Sequence, residues 1–121
     1  MIVQIAVASA LACSSGPLSL SQAEALVLAT PNIQASVSER HARPFFEWVQ
    51  RGPQGWRFDV NARNPCVAAR ACSGLLGHYA VNRTTGEVED LDAAGGDGAL
   101  VSSAALTKLR TKFLKGRCGQ L

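Results

Sequence analysis

The stretch Gly77–Leu91, GHYAVNRTTGEVEDL, constrains the fold more than any other part of the chain. Two runs rich in strand formers, His78–Val81 and Glu87–Leu91, flank the polar segment Asn82-Arg83-Thr84-Thr85-Gly86. Gly86 stands where a short hairpin loop needs positive φ, a conformation that a residue without Cβ adopts at no steric cost. If Val81 and Val88 close the turn, two β-branched side chains face each other and fix the register, with Asp90 opposite Tyr79. The stretch predicts an antiparallel hairpin.

A second hairpin precedes it. Phe45-Phe46-Glu47-Trp48-Val49-Gln50 and Trp56-Arg57-Phe58-Asp59-Val60-Asn61 both read as alternating strands, with Trp56, Phe58 and Val60 on one face. Between them Arg51-Gly52-Pro53-Gln54-Gly55 carries the Gly and Pro of a turn. Both tryptophans and three of the four phenylalanines lie here, so this hairpin is expected to supply most of the aromatic burial.

Helices bracket the hairpins. Ser21-Gln22-Ala23-Glu24 fits a capping box, and Ser21–His41 reads as a helix kinked or re-initiated at Pro31, with Thr30 as a fresh N-cap. Ile33 and Val37 continue its apolar stripe. Near the other end Ser102 or Ser103 caps a helix whose Leu106, Leu109, Phe113 and Leu114 share a face, and Gly116 stops it. Asn64–Gly74 reads as a loop with a helical turn over Val67–Ala71, and Ala93–Gly98 as a flexible loop. The expected fold is α+β: a four-stranded antiparallel sheet of two hairpins, with an N-terminal and a C-terminal helix packed on one face.

A chain of 121 residues fits one domain, and 17% charged residues against 47% hydrophobic ones argue against wholesale disorder. Charge is distributed rather than accumulated. Of the twelve basic residues, Lys108, Arg110, Lys112, Lys115 and Arg117 cluster at the C-terminal end; of the nine acidic ones, Glu87, Glu89, Asp90, Asp92 and Asp97 fall in one short stretch. A bipolar chain of net charge +3 does not call for nucleic acid as partner. No apolar run approaches the ~18 residues of a membrane span.

Ile2–Cys13, IVQIAVASALAC, has the length and apolar character of a secretory h-region, although no basic residue precedes it. Ala10-Leu11-Ala12 and Ser21-Gln22-Ala23 both have the small-x-small form of a cleavage site. Residues 1–20 are accordingly read as a leader and 21–121 as the domain, which places the protein in the periplasm or outside the cell; a cytoplasmic chain that keeps the segment as part of its fold is the alternative. Cys13 is a candidate lipidation residue and hence a lipid anchor. Cys66 and Cys72 are close enough for a disulfide around a small loop in an oxidising compartment, and lack the neighbouring His or C-x-x-C spacing of a zinc site. Cys118 is left free, or pairs with Cys13 if the leader is retained.

No catalytic signature emerges. His78 and His41 sit beside no activated nucleophile, the acidic run matches no calcium loop, and Gly95-Gly96-Asp97-Gly98 is not a phosphate-binding loop. Strand alternation assigns Glu87 and Glu89 to one face, Asp90 and Asp92 to the other. Neither cofactor nor metal is expected.

Ser21-x-x-Glu24 and, more specifically, Tyr79-Ala80-Val81-Asn82-x-x-Thr85-Gly86-Glu87-Val88 resemble PepSY-type domains, whose second strand pair ends in an aromatic-x-Val-Asp/Asn-x-x-Thr-Gly-Glu-Val pattern. The hairpin is also similar to one in small nuclear-transport-factor-like and cystatin-like immunity proteins of bacterial toxin systems. The Pro65–Ser73 insert and the C-terminal helix depart from the PepSY pattern. The resemblance implies a binding or inhibitory module with no catalytic residues to carry over. The expectation is an exported bacterial binding protein, an inhibitor or immunity protein for a cell-envelope hydrolase or toxin. Its contacts would come from Arg51, Gln54, His78, Arg83, Asp90, Asp92 and Asp97. The alternatives are a structural envelope lipoprotein, and a small enzyme with His78, Tyr79 and Asp90 as an acid/base set around a pocket.

Overall fold

A computed structural model describes residues 17–63 and 74–115. Leu18 is buried, and its N–H donates to the Arg83 carbonyl at 2.8 Å. Helix α1 (Leu20–Leu28) follows, capped by Ser19: its Oγ accepts the Gln22 N–H at 3.1 Å, and Gln22 Oε1 accepts the Ser19 N–H at 2.9 Å. The capping box is therefore Ser19–Gln22, two residues ahead of the Ser21–Glu24 pair expected from the sequence. Packing decides between them. Capping at Ser19 sets Leu18 and Ala23 at the two ends of a hydrophobic staple, and both are buried in the core.

Pro31 does re-initiate the helix. Helix α2 (Pro31–Arg40) has Pro31 in its first turn and Thr30 as N-cap, but the Thr30 hydroxyl donates back to Val27 O at 2.8 Å and closes α1 instead of opening α2. Left-handed His41 ends α2 and turns the chain into the sheet.

The sheet is an antiparallel meander in the order β1 (Arg43–Arg51), β2 (Gly55–Arg63), β3 (Leu75–Asn82), β4 (Val88–Asp90), β5 (Ala99–Leu100). Both predicted hairpins are present. Val81 pairs with Val88 and Tyr79 with Asp90, in the register read from the sequence. Gly86 has φ 72°, and Asn82 Oδ1 organises the turn by accepting the N–H groups of Thr84 (2.8 Å) and Thr85 (3.0 Å).

The four-stranded expectation is corrected by one strand. Ala93–Gly98, expected to be a flexible loop, instead contains a short 3₁₀ turn (Ala94–Gly96) and returns the chain so that Glu89 pairs with Leu100 and Asp90 with Ala99. Strand β1 also breaks its alternation. A bulge at Glu47 lies between the pairs Phe46–Val60 and Trp48–Asp59, so Phe45 and Trp48 share one face while Phe46 and Val49 take the other.

Helix α3 (Ala104–Leu114) starts at Ser103, whose Oγ accepts the Leu106 N–H at 3.1 Å. All three helices lie on one face of the sheet. There Leu26, Val27, Ile33 and Leu106 pack against Phe58, Val60, Tyr79, Val81 and Val88, all nearly or fully buried. Phe46 adds a tilted ring contact to Phe58, 5.0 Å between centroids. The aromatic hairpin thus contributes Trp56, Phe58 and Phe46 to the core, while Trp48 is left 45% exposed on the opposite side. The Cys13, Cys66–Cys72 and Cys118 expectations, the leader up to residue 16, and the helical turn at Val67–Ala71 lie outside the described residues.

Candidate partner-binding face

The sheet has a second face that no described helix covers. Register assigns its residues in rows running across the strands. One row is Gln50, Arg57, Ala80, Glu89 and Leu100; the next is Trp48, Asp59 and His78; a third sets Phe45 beside Asn61 and Leu75. These side chains alternate with the core residues Trp56, Phe58, Val60, Tyr79 and Val81, so the face follows from the same period-2 pattern that builds the core.

His78 lies between two carboxylates. Its Nδ1 is 2.9 Å from Asp92 Oδ1, its backbone N–H donates to Asp92 Oδ2 at 3.1 Å, and its Nε2 is 3.7 Å from Asp59 Oδ1. A carboxylate only accepts, so the Nδ1 facing Asp92 carries a hydrogen. The side chains of His78 and Asp59 are each 37% exposed and that of Asp92 is 55% exposed. Solvent screening therefore limits the stabilisation from the cluster to about 1 kcal/mol or less. Beside it, Asn61 Nδ2 donates to Glu47 Oε2, and the Arg63 guanidinium lies 4.5 Å from the Phe45 ring centroid. Most charges on this face are held by a neighbour, which fixes their positions.

The seven candidate contact residues do not form one site. His78 and Asp92 come together. Gln54 and Arg83 are joined through their backbones, the Arg83 N–H donating to Gln54 O at 2.9 Å, which brings the tips of the two hairpins side by side with Arg51 nearby at the end of β1. Asp97 stands apart in the turn before β5.

Asp90 is the correction. Strand alternation groups it with Asp92, but β4 ends at Asp90, and the turn beyond it swings Asp92 round to His78. Asp90 points to the helix side, where the Asn32 amide reaches it at 3.5 Å.

The proposed acid/base set separates for a related reason. His78 and Tyr79 are consecutive in β3 and face opposite sides of the sheet. Burial pushes the Tyr79 hydroxyl pKa up; hydrogen bonding with Thr30 and Asn32 opposes the rise, and the Asp90 and Asp92 charges reinforce it. Tyr79 borders a small cavity of about 170 Å³ with Thr30, Asn32 and Asp90. A larger depression of about 410 Å³ opens on the uncovered face near the hairpin tips, floored by Ala80 and bordered by Gln50, Arg57, Glu89 and Leu100. His78 lines neither.

Among the described residues no group of three His, Cys, Asp or Glu side chains is placed to hold a metal ion. The two carboxylates at His78 approach opposite nitrogens of the ring, which prevents them from sharing one ion with either nitrogen. Among the same residues no helix is long and apolar enough to cross a membrane.

Comparison with protein-family models, with curated proteins and with solved structures finds no match.

Sequence reasoning missed Trp48, Arg57 and Asp59 as members of this face. For Arg57 and Asp59 the signal was available, because they alternate with Trp56, Phe58 and Val60. For Trp48 it was not: without the bulge at Glu47, strict alternation places Trp48 on the side of Phe46.

Proposed function

We propose that this protein is a non-catalytic binding module that engages a protein partner through the uncovered face of its sheet. In keeping with the apolar N-terminal run and the resemblance of its second hairpin, it would act as an exported bacterial inhibitor or immunity protein of a cell-envelope hydrolase or toxin. The observation that carries the reading is Trp48, a large aromatic side chain held 45% exposed by a bulge on a face no described helix covers. Tryptophan is among the residues most enriched at the energetic centres of interfaces.

Size supports the reading as well. Strands of nine, nine, eight, three and two residues, at about 3.3 Å per residue and about 4.8 Å per strand, give a face on the order of 500 Å², before side-chain relief is counted. That approaches the ~800 Å² per partner of a standard protein–protein interface. The ordered side chains around Trp48 lower the entropy lost on docking.

The test is affinity capture from an envelope extract of the native host, with the wild-type chain and Trp48→Ala as parallel baits. The reading expects a protein recovered by the wild type, lost with Trp48→Ala, and inhibited when the purified pair is recombined. Recovery of the same proteins by both baits, or of none, overturns it.

A further inference from the structure

The depression on the uncovered face is flanked by two charges of opposite sign that do not neutralise each other. Arg57 and Glu89 sit on either side of Ala80 in one cross-strand row, and among the described residues the ion pairs are those of His78, with neither Arg57 nor Glu89 taking part. The methyl of Ala80 is too short to fill the space between the two longer side chains, and Leu91 and Leu100 add apolar wall. The cavity of about 410 Å³ lies within the ~300–1,000 Å³ typical of small-ligand sites. Glu89 rests against the backbone of Gly98, where a Cβ would lie 2.5 Å from Oε2; with no described ion pair to fix it there, its side chain can turn from β5 toward the depression.

We propose that this depression binds a short peptide with free termini, its carboxylate toward Arg57, its ammonium toward Glu89 and an apolar side chain over Ala80. The length follows from the sheet. Arg57 and Glu89 stand two strand spacings apart, about 10 Å between backbones. A dipeptide, at about 3.3–3.6 Å per residue, separates its charges by roughly 7 Å, and the two side chains can lean inward over that difference. A single amino acid holds its charges too close together to meet both. A guanidinium offers a planar fork that matches a terminal carboxylate.

This site is independent of the protein-partner reading, since its test uses no partner. The ¹⁵N-labelled chain is titrated with Ala-Phe, with its N-acetyl form, with its amide, with the form blocked at both ends, and with phenylalanine alone. The expected result is shifts at the amides of Ala80, Leu91 and Leu100, with Ala-Phe binding at a Kd on the order of 1 mM. Each blocked terminus should weaken binding about three- to fivefold, and phenylalanine should bind more weakly than the dipeptide.

Arg57→Gln should erase the difference between Ala-Phe and its amide, and Glu89→Gln the difference between Ala-Phe and its N-acetyl form. Ala80→Leu, which fills the depression from the solvent side, should remove binding while the chain keeps its thermal transition. Equal binding of all four peptide forms, preference for phenylalanine, or no shifts up to about 20 mM overturns the proposal.

Discussion

Tyr79 is the only tyrosine in the chain, and burial holds its pKa above the ordinary value of 10.0. A raised acid pKa means that the folded state keeps a proton which the unfolded state releases. The contribution to stability is complete below about pH 10 and is lost as pH rises through the folded-state value. Denaturant unfolding should show falling stability over that alkaline window, and Tyr79→Phe should flatten it; tyrosinate absorbance follows the single phenol directly. A slope that survives in Tyr79→Phe would assign the loss to other groups. Gly55 makes a sharper steric prediction. A Cβ there would lie 1.8 Å from the Val81 carbonyl oxygen, so Gly55→Ala must push β2 away from β3. It should cost on the order of 2–4 kcal/mol in denaturant melts, whereas Gly95→Ala, with open space around it, brings only the strain of its positive φ.

At the scale of elements, the N-terminal staple and the bulge are the features that sequence periodicity reads least well. Two overlapping Ser-x-x-Glu/Gln patterns begin two residues apart, and local chemistry does not choose between them; the burial of Leu18 against the β3–β4 turn does. Leu18→Ala should therefore destabilise by about 2–4 kcal/mol and Ser19→Ala by about 1 kcal/mol, both read from unfolding midpoints. A chain starting at Glu24 should lose more than either, because it lacks the staple and the cap together. The hairpins were legible because Val81, Val88 and Gly86 each serve a local requirement. Strand β5 was not, since two residues offer no alternation to read and their pairing depends on closure of the Ala93–Gly98 turn. The outer edge of β1 is blunted by Pro44, by the Glu47 bulge and by charges at both ends, the usual defences against edge-to-edge pairing. Replacing Glu47 with Val should promote self-association, measurable by light scattering.

At the scale of the whole molecule, the proposed binding face and the core lie on opposite sides of the sheet. Residues on the helix side carry most of the stability, and those on the other side should vary at little cost to it. Trp48→Ala should leave the unfolding midpoint nearly unchanged while removing partner capture, and Phe58→Ala should cost about 3–5 kcal/mol. A loss of stability from Trp48→Ala comparable to that from Phe58→Ala would contradict the division. The α+β class and the helix-covered side were legible in the sequence because apolar periodicity reports burial. The uncovered face was only partly so: the partners of His78 come from β2 and from the turn beyond β4, and only the closed meander brings Asp59 and Asp92 to one ring.

The Leu18–Arg83 hydrogen bond ties the first buried residue among those described to a turn far along the chain, enclosing two helices and the first three strands between its ends. A loop of that size closes late, because the entropy of bringing its ends together is regained only when the core beneath them packs. The Leu18 amide should consequently act as a clock for the entire fold. Its deuterium exchange should track global opening, while amides in the Ala94–Gly96 turn exchange through local fluctuations alone.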